Sequence, residues 1–153
     1  MRRLAVFLLL ASLVLAEERR TFAVPIHRQG VGCTAPCGKT LVSVAVEGVN
    51  GTFVLDTGAD VTVISPRLAA NGKDRQKWNL SGLNGRETVD SVIVVLKLGG
   101  DKMRARVMTR PLDNVSKMVG TAIDGVLGLD VLGSYSHIEI DLKAQTLTLT
   151  RGN

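Results

Sequence analysis

Phe53-Val54-Leu55-Asp56-Thr57-Gly58-Ala59-Asp60-Val61-Thr62-Val63-Ile64-Ser65 decides how this chain reads. Both ends of the stretch are apolar and rich in β-branched residues, the composition of buried strand. Between them stands Asp56-Thr57-Gly58. A carboxylate between two core-forming runs is costly to bury unless it has partners. Gly58, two residues on, permits a sharp turn where a side chain would block the backbone. The pattern predicts a strand that leaves the core, presents Asp56 on a tight loop and re-enters as a second strand. A carboxylic acid held that rigidly suits catalysis.

The flanking sequence supplies further strands. Leu41-Val42-Ser43-Val44-Ala45-Val46 alternates, and Asn50-Gly51 is a hairpin-turn signal before Thr52 to Leu55 returns toward Asp56. Val92 to Leu98 reads as a long strand turned by Gly99-Gly100-Asp101-Lys102. Met103 to Thr109 returns with Arg104 and Arg106 on one face and Met103, Ala105 and Val107 on the other, a half-buried antiparallel pattern. His137 to Asp141 and Thr146 to Thr150 alternate around a turn at Leu142 to Gln145. Ile123 to Gly133 carries three glycines among large aliphatics, which marks close backbone approach or a bend. Residues 17 to 30 read as an extended leader or an edge strand with His27 exposed. Pro66 to Lys77 reads as a loop with one helical turn, and Asp113 to Ala122 as a loop. Trp78, the single tryptophan, reads as a packing residue, with a substrate contact as the alternative.

With 153 residues the chain suits one domain. Aromatic residues make up only 3%, so Val, Leu and Ile must build the core, and 16 glycines punctuate them. β-branched runs between glycine-rich turns place the chain in the all-β class. The formal charge of +5 includes Arg2 and Arg3; without them it is +3. That weak, scattered excess, with no basic run interleaved with aromatics, argues against a nucleic-acid partner.

Residues 1–16 have the layout of a secretory signal peptide: Met1-Arg2-Arg3, an apolar run from Leu4 to Leu15, and small or modest residues up to Ala16. The run is shorter than the ~20 residues a membrane-spanning helix needs, so no stable span is expected after its removal. The mature protein is then exported, periplasmic or extracellular. Cys33-Thr34-Ala35-Pro36-Cys37 fits that compartment as a local disulfide between Cys33 and Cys37. Asn50-Gly51-Thr52, Asn79-Leu80-Ser81 and Asn114-Val115-Ser116 match the short glycosylation acceptor pattern. Residues 17–40 read as an extended segment carrying the cysteines, and 41–150 as the main domain.

Several chemistries use a lone carboxylate. A metal site needs further ligands at ligand spacing, and His27 and His137 offer none, so no metal or other cofactor is expected. The Gly-x-Ser-x-Gly elbow of serine hydrolases is absent. A glycosidase needs two carboxylates across a cleft; Asp60, Asp124 and Asp130 are on offer, but the chain is short for a sugar cleft. Asp124 and Asp130 read more simply as turn and helix-cap residues. There remains a pair of aspartates sharing one proton. Like charges about 3 Å apart cannot both ionise, so one acts as acid and the other as base on a water aimed at a peptide carbonyl. The chain has one Asp-Thr-Gly, so the second must come from another chain, most simply across a twofold axis.

The stretch from Phe53 to Ser65 resembles the active-site motif of the retropepsin-like aspartic proteases, single-lobe relatives of pepsin, and Ala59 resembles the retroviral form. Ile123-Asp124-Gly125-Val126-Leu127-Gly128-Leu129-Asp130-Val131-Leu132 resembles the family's second motif, and the likeness runs from about Leu41 to Thr150. It implies a single pepsin-like barrel with one or two short helical turns, in which Asp56 is the catalytic acid and base. Thr57 would brace the two loops of a homodimer. Gly58 and Ala59 would shape the active-site loop, with Gly125 and Gly128 behind it. Gly82-Leu83-Asn84-Gly85 would lie at the tip of a flap closing on a peptide or protein substrate. The aromatic flap residue of two-lobed members has no counterpart there. The resemblance thus implies an aspartic endopeptidase; the alternative is a non-catalytic module of the same fold that binds peptide or protein.

Overall fold

The computed structural model describes residues 19–32, 38–82 and 85–152. The expected signal peptide, Cys33, Cys37, Leu83 and Asn84 lie outside the described residues. Ten strands and two short helices run in the order β1 (Arg20–Gln29), β2 (Lys39–Val46), β3 (Val49–Leu55), β4 (Val63–Ile64), β5 (Lys73–Gly82), β6 (Gly85–Leu98), β7 (Asp101–Thr109), α1 (Asp113–Val119), β8 (Gly125–Leu127), α2 (Leu129–Leu132), β9 (His137–Asp141) and β10 (Thr146–Arg151). The all-β expectation holds.

Strand order is β5-β6-β7-β4-β8-β3-β2-β1-β10-β9, and β6 also pairs with β2. That extra pairing closes β6-β7-β4-β8-β3-β2 into a six-stranded ring. β5 hangs from one side of the ring as half of a hairpin, and β1-β10-β9 extends from β2. Inward positions are aliphatic because the strands alternate: Val42, Val44 and Val46 on β2 meet Val92, Val94, Leu96 and Leu98 on β6, with Phe53 fully buried among them. Alternation of this kind fixes the register, since a one-residue slip would turn each set to solvent.

β1 is the first departure from the sequence reading. The segment expected as a leader or edge strand lies between β2 and β10. Its first half, Arg20 to Pro25, pairs with β10, and its second, Ile26 to Gln29, pairs with β2. Pro25, lacking an N–H, sits where the strand changes partners. Val24 and Ile26 are buried, whereas His27 is exposed as expected. The second departure is α1, in a segment read as loop. Seven residues are too few for a stable isolated helix, so packing forms it. Leu112 and Val119 are buried with Leu41, Val54 and Ile123, and Gly120 ends the helix in the left-handed conformation at φ 82°. Third, the loop expected from Pro66 to Lys77 ends early: β5 begins at Lys73, and β6 runs unbroken from Gly85 for 14 residues.

Candidate active site

The loop carrying Asp56 joins β3 to β4, and both strands pair with β8. β3 lies parallel to it, with Phe53 opposite Gly125, Val54 opposite Val126 and Leu55 opposite Leu127. β4 lies antiparallel on its other edge, with Val63 opposite Val126 and Ile64 opposite Gly125. The second glycine-rich stretch therefore passes between the two strands that hold the loop. Gly125 is required there because a Cβ would come within 2.1 Å of the Phe53 ring.

Hydrogen bonds fix the loop along its length. Asp56 N–H donates to the Leu127 carbonyl at 3.1 Å, and Ala59 N–H donates to the Asp56 carbonyl at 3.2 Å. Leu129 N–H donates to the Ala59 carbonyl at 2.8 Å, and Asp130 N–H to the Asp60 carbonyl at 3.1 Å. The Asp56 side chain is half-buried, and its Oδ1 accepts the Gly58 N–H at 2.9 Å. Thr57 and Gly58 are exposed at the tip. Gly58 does not adopt a left-handed φ, so turn geometry does not require it. Its role is space, since a Cβ there would sit 3.2 Å from Asp56 Oδ1.

A residue pair that the sequence reading missed completes the scaffold. Thr62 is fully buried, and its hydroxyl donates to Asp130 Oδ1 at 2.6 Å while accepting the Gly128 N–H at 3.0 Å. Thr62 N–H donates to Asp130 Oδ2 at 2.9 Å. Asp130 is thus a strut between α2 and the active-site loop. It is not the helix cap expected of it; Gly128 occupies the N-cap position without a side-chain bond. Asp124 ties β3 to the turn after β4: its Oδ2 accepts the Thr52 N–H at 3.1 Å and its Oδ1 the Arg67 guanidinium at 2.8 Å. Nothing in the sequence links residues 62 and 130 except the two motifs that contain them.

The hairpin of β5 and β6 pairs Gly82 with Gly85 at its tip, and Gly85 has φ 104°, the left-handed backbone a tight turn needs. Salt bridges line the hairpin: Lys77 to Asp90 at 2.8 Å, and Glu87 to Arg110 on the strand-to-helix connection at 3.3 Å. Trp78, read as a packing residue with a substrate contact as the alternative, is 44% exposed on β5. It borders a cavity of about 600 Å³ with Ala59, Asp60 and Val61 of the active-site loop, and Val63, Met108 and Val126 form its apolar floor. A larger concavity, about 680 Å³, lies against β2 and the β6–β7 turn, at the opposite end of β2 and β3 from Asp56. The arrangement offers one braced carboxylate on the loop whose following residues, Ala59 to Val61, line a cavity of mixed polar and apolar character.

The family model for aspartyl protease matches residues 42–131, more than half of the chain. A search of curated protein sequences returned no significant match. Among solved structures, a retropepsin-like aspartic protease from Rickettsia conorii superposes with a TM-score of 0.55 at 14% identity, covering 90% of this chain and 95% of that one. The EIAV protease in complex with the inhibitor HBY-793 gives a TM-score of 0.48 at 21% identity, over 66% of this chain and 91% of that one. The Simian Foamy Virus (mac) protease gives 0.46 at 17% identity, over 61% and 91%. At 14% identity the likeness to the Rickettsia conorii structure establishes the fold alone, which is retropepsin-like. The motif from Phe53 to Ser65 and the second motif from Ile123 as far as Val131 fall inside the matched residues, and with them the chain belongs to the aspartyl protease family.

Proposed function

We propose that the protein is an aspartic endopeptidase that works as a homodimer, with one Asp56 from each copy forming the catalytic pair. The observation that carries this reading is the Asp56 loop: a single half-buried carboxylate, set by the Gly58 N–H and braced from behind by the Gly125–Asp130 segment, at an exposed tip. Such rigidity has a purpose when a charge must be placed against a second one. In the pair, the ionised carboxylate takes a proton from water as the water oxygen attacks the peptide carbonyl carbon. The protonated partner gives its proton to the carbonyl oxygen. Collapse of the tetrahedral intermediate returns a proton to the leaving nitrogen and breaks the C–N bond. Thr57, exposed beside Asp56, is suited to bracing one loop against its symmetry mate. The β5–β6 hairpin, with Gly82 to Gly85 at its tip, serves as the flap. The Trp78–Met108 cavity receives an apolar substrate side chain.

We further propose that the protein acts outside the cytosol after removal of residues 1–16, with Cys33 and Cys37 joined. The support is the sequence layout of the amino terminus. Among the described residues no helix is long and apolar enough to cross a membrane.

The test is cleavage of a denatured protein mixture by the protein and by Asp56→Asn, with sedimentation of both. Cleavage by the parent, suppressed by a transition-state inhibitor of aspartic proteases and abolished in the variant while the dimer persists, is the expected result. A strictly monomeric parent that still cleaves, or a variant of undiminished activity, would overturn it.

A further inference from the structure

The outward face of β6 and β7 carries a charge pattern that neither the fold nor the active-site reading uses. On β7, Lys102, Arg104 and Arg106 project to the outward side at alternate positions. Their cross-strand partners on β6 are Lys97, Val95 and Ile93, and Lys73 on β5 stands opposite Ile93. Five cations thus share one face with two acids, Asp74 and Glu47. Arg106 is committed to Asp74, and Glu47 Oε1 accepts the Val95 N–H at 2.7 Å. Among the described residues, Lys73, Lys97, Lys102 and Arg104 take part in no salt bridge, and all four are exposed. Lys97 and Lys102 lie directly opposite each other, a like-charge pairing that costs sheet stability.

The face is also contoured. Concavities of about 680 and 250 Å³ flank Val95, which is 41% exposed, and both are bordered by Glu47. Lys97 and Lys102 edge the first, Lys73 and Arg104 the second. We propose that this face docks an extended acidic polypeptide segment, at a site separate from Asp56. Alternate residues on β7 repeat every ~6.8 Å, the same spacing at which an extended peptide presents alternate side chains. Acidic side chains on one edge of such a segment meet Lys102 and Arg104 in register. Lys97 and Lys73 flank them, and Val95 provides apolar contact between the two hollows. A flat anionic bilayer would match neither the repeat nor the hollows.

The experiment is fluorescence anisotropy of a fluorescein-labelled peptide of alternating glutamate and threonine, at low ionic strength where surface charge is least screened. The proteins are the parent, Lys102→Glu/Arg104→Glu, and Lys117→Glu/Lys143→Glu. The last pair makes the same charge change on exposed residues elsewhere. The parent should bind saturably, and Lys102→Glu/Arg104→Glu should weaken binding about tenfold, from two attractions lost and two repulsions gained. The control pair should change it less than about twofold. If circular dichroism shows the first variant misfolded, the neutral Lys97→Ser/Lys102→Ser carries the test in the same direction. Equal losses in both charge-reversed proteins, absence of binding to the parent, or binding to phosphatidylglycerol vesicles in place of the peptide would overturn the proposal.

Discussion

Substituting Gly128 by alanine probes the brace behind the active-site loop more sharply than any change at the loop itself. A Cβ at residue 128 would stand 2.7 Å from both the carbonyl carbon and oxygen of Val61, and 2.9 Å from the carbonyl oxygen of Ala59. All three are backbone atoms of the segment between Asp56 and Thr62. Ordinary carbon–oxygen contacts lie near 3.3 Å, so the loop must retreat by roughly 0.5 Å. Retreat stretches two bonds, Gly128 N–H to Thr62 Oγ1 and Leu129 N–H to the Ala59 carbonyl. Overpacking a filled interior costs about 1–3 kcal/mol. For a domain of this size that lowers Tm by about 3–10 °C. Urea melts of Gly128→Ala would measure the loss, with Gly152→Ala as the neutral comparison, because a Cβ there meets only Ser136 at 3.5 Å. A second variant distinguishes the cause. Val61→Ala removes side-chain bulk but none of the clashing backbone atoms, so Val61→Ala/Gly128→Ala should regain no stability over Gly128→Ala. A Gly128→Ala protein that melts with the parent, or one rescued by Val61→Ala, would refute the packing argument.

Further expectations rest on single interactions. Thr62→Val keeps the shape of the side chain but leaves the buried Gly128 N–H without its acceptor. It should cost about 1–3 kcal/mol by urea denaturation and speed amide exchange at Gly128. Tyr135 is buried with its hydroxyl donated to Asp101 Oδ2 at 2.9 Å, and burial followed by that hydrogen bond raises its pKa above the ordinary value of 10.0. The folded state therefore holds the phenolic proton more tightly than the unfolded chain does. This contribution to stability is complete below pH 10.0 and is lost as pH rises from there through the raised folded value. Tyr135→Phe should flatten that alkaline part of the stability profile, and equal slopes in the two proteins would count against it. Trp78→Ala should raise KM about five- to tenfold for peptides with a large apolar residue near the scissile bond, with kcat little changed. Initial rates across a series varied at that one position check it.

Much of the ring was legible because its strands alternate. Leu41 to Val46, Val92 to Leu98 and Met103 to Thr109 declare their buried faces without reference to any partner. The paired motifs were legible for a different reason: their glycines stand out among large aliphatics even though the contact that requires one of them, Gly125 against the Phe53 ring, is between distant strands. The misreadings occur where distant partners decide. Phe22 and Val24 alternate too, but the strand that pairs with them is β10, at the far end of the chain, so the segment read as a leader or an edge strand. Leu112, Val115 and Val119 follow helical spacing ahead of Gly120, a signal that was present but too short to outweigh the polar residues between. Trp78 could not be placed because its exposure depends on how the hairpin lies over Met108 and Val63. The Thr62–Asp130 strut joins residues 68 apart, and no local rule pairs a threonine with an aspartate at that distance.

The position of β1 also governs how the chain can fold. The six-stranded ring is complete once Leu127 is available, but β1 lacks one neighbour until Thr146 to Arg151 follow. During synthesis the ring can close while the Arg20–Pro25 edge remains unsatisfied, with Phe22 and Val24 lacking their strand partner in a growing chain. Long-range pairing of this kind slows folding and leaves an open edge for other chains to join. A ribosome stalled, or a chain clipped, between Gly133 and Thr146 would release a molecule with its barrel built and its first strand waiting. Aggregation of such fragments, more than loss of the barrel, is the hazard this order of strands creates.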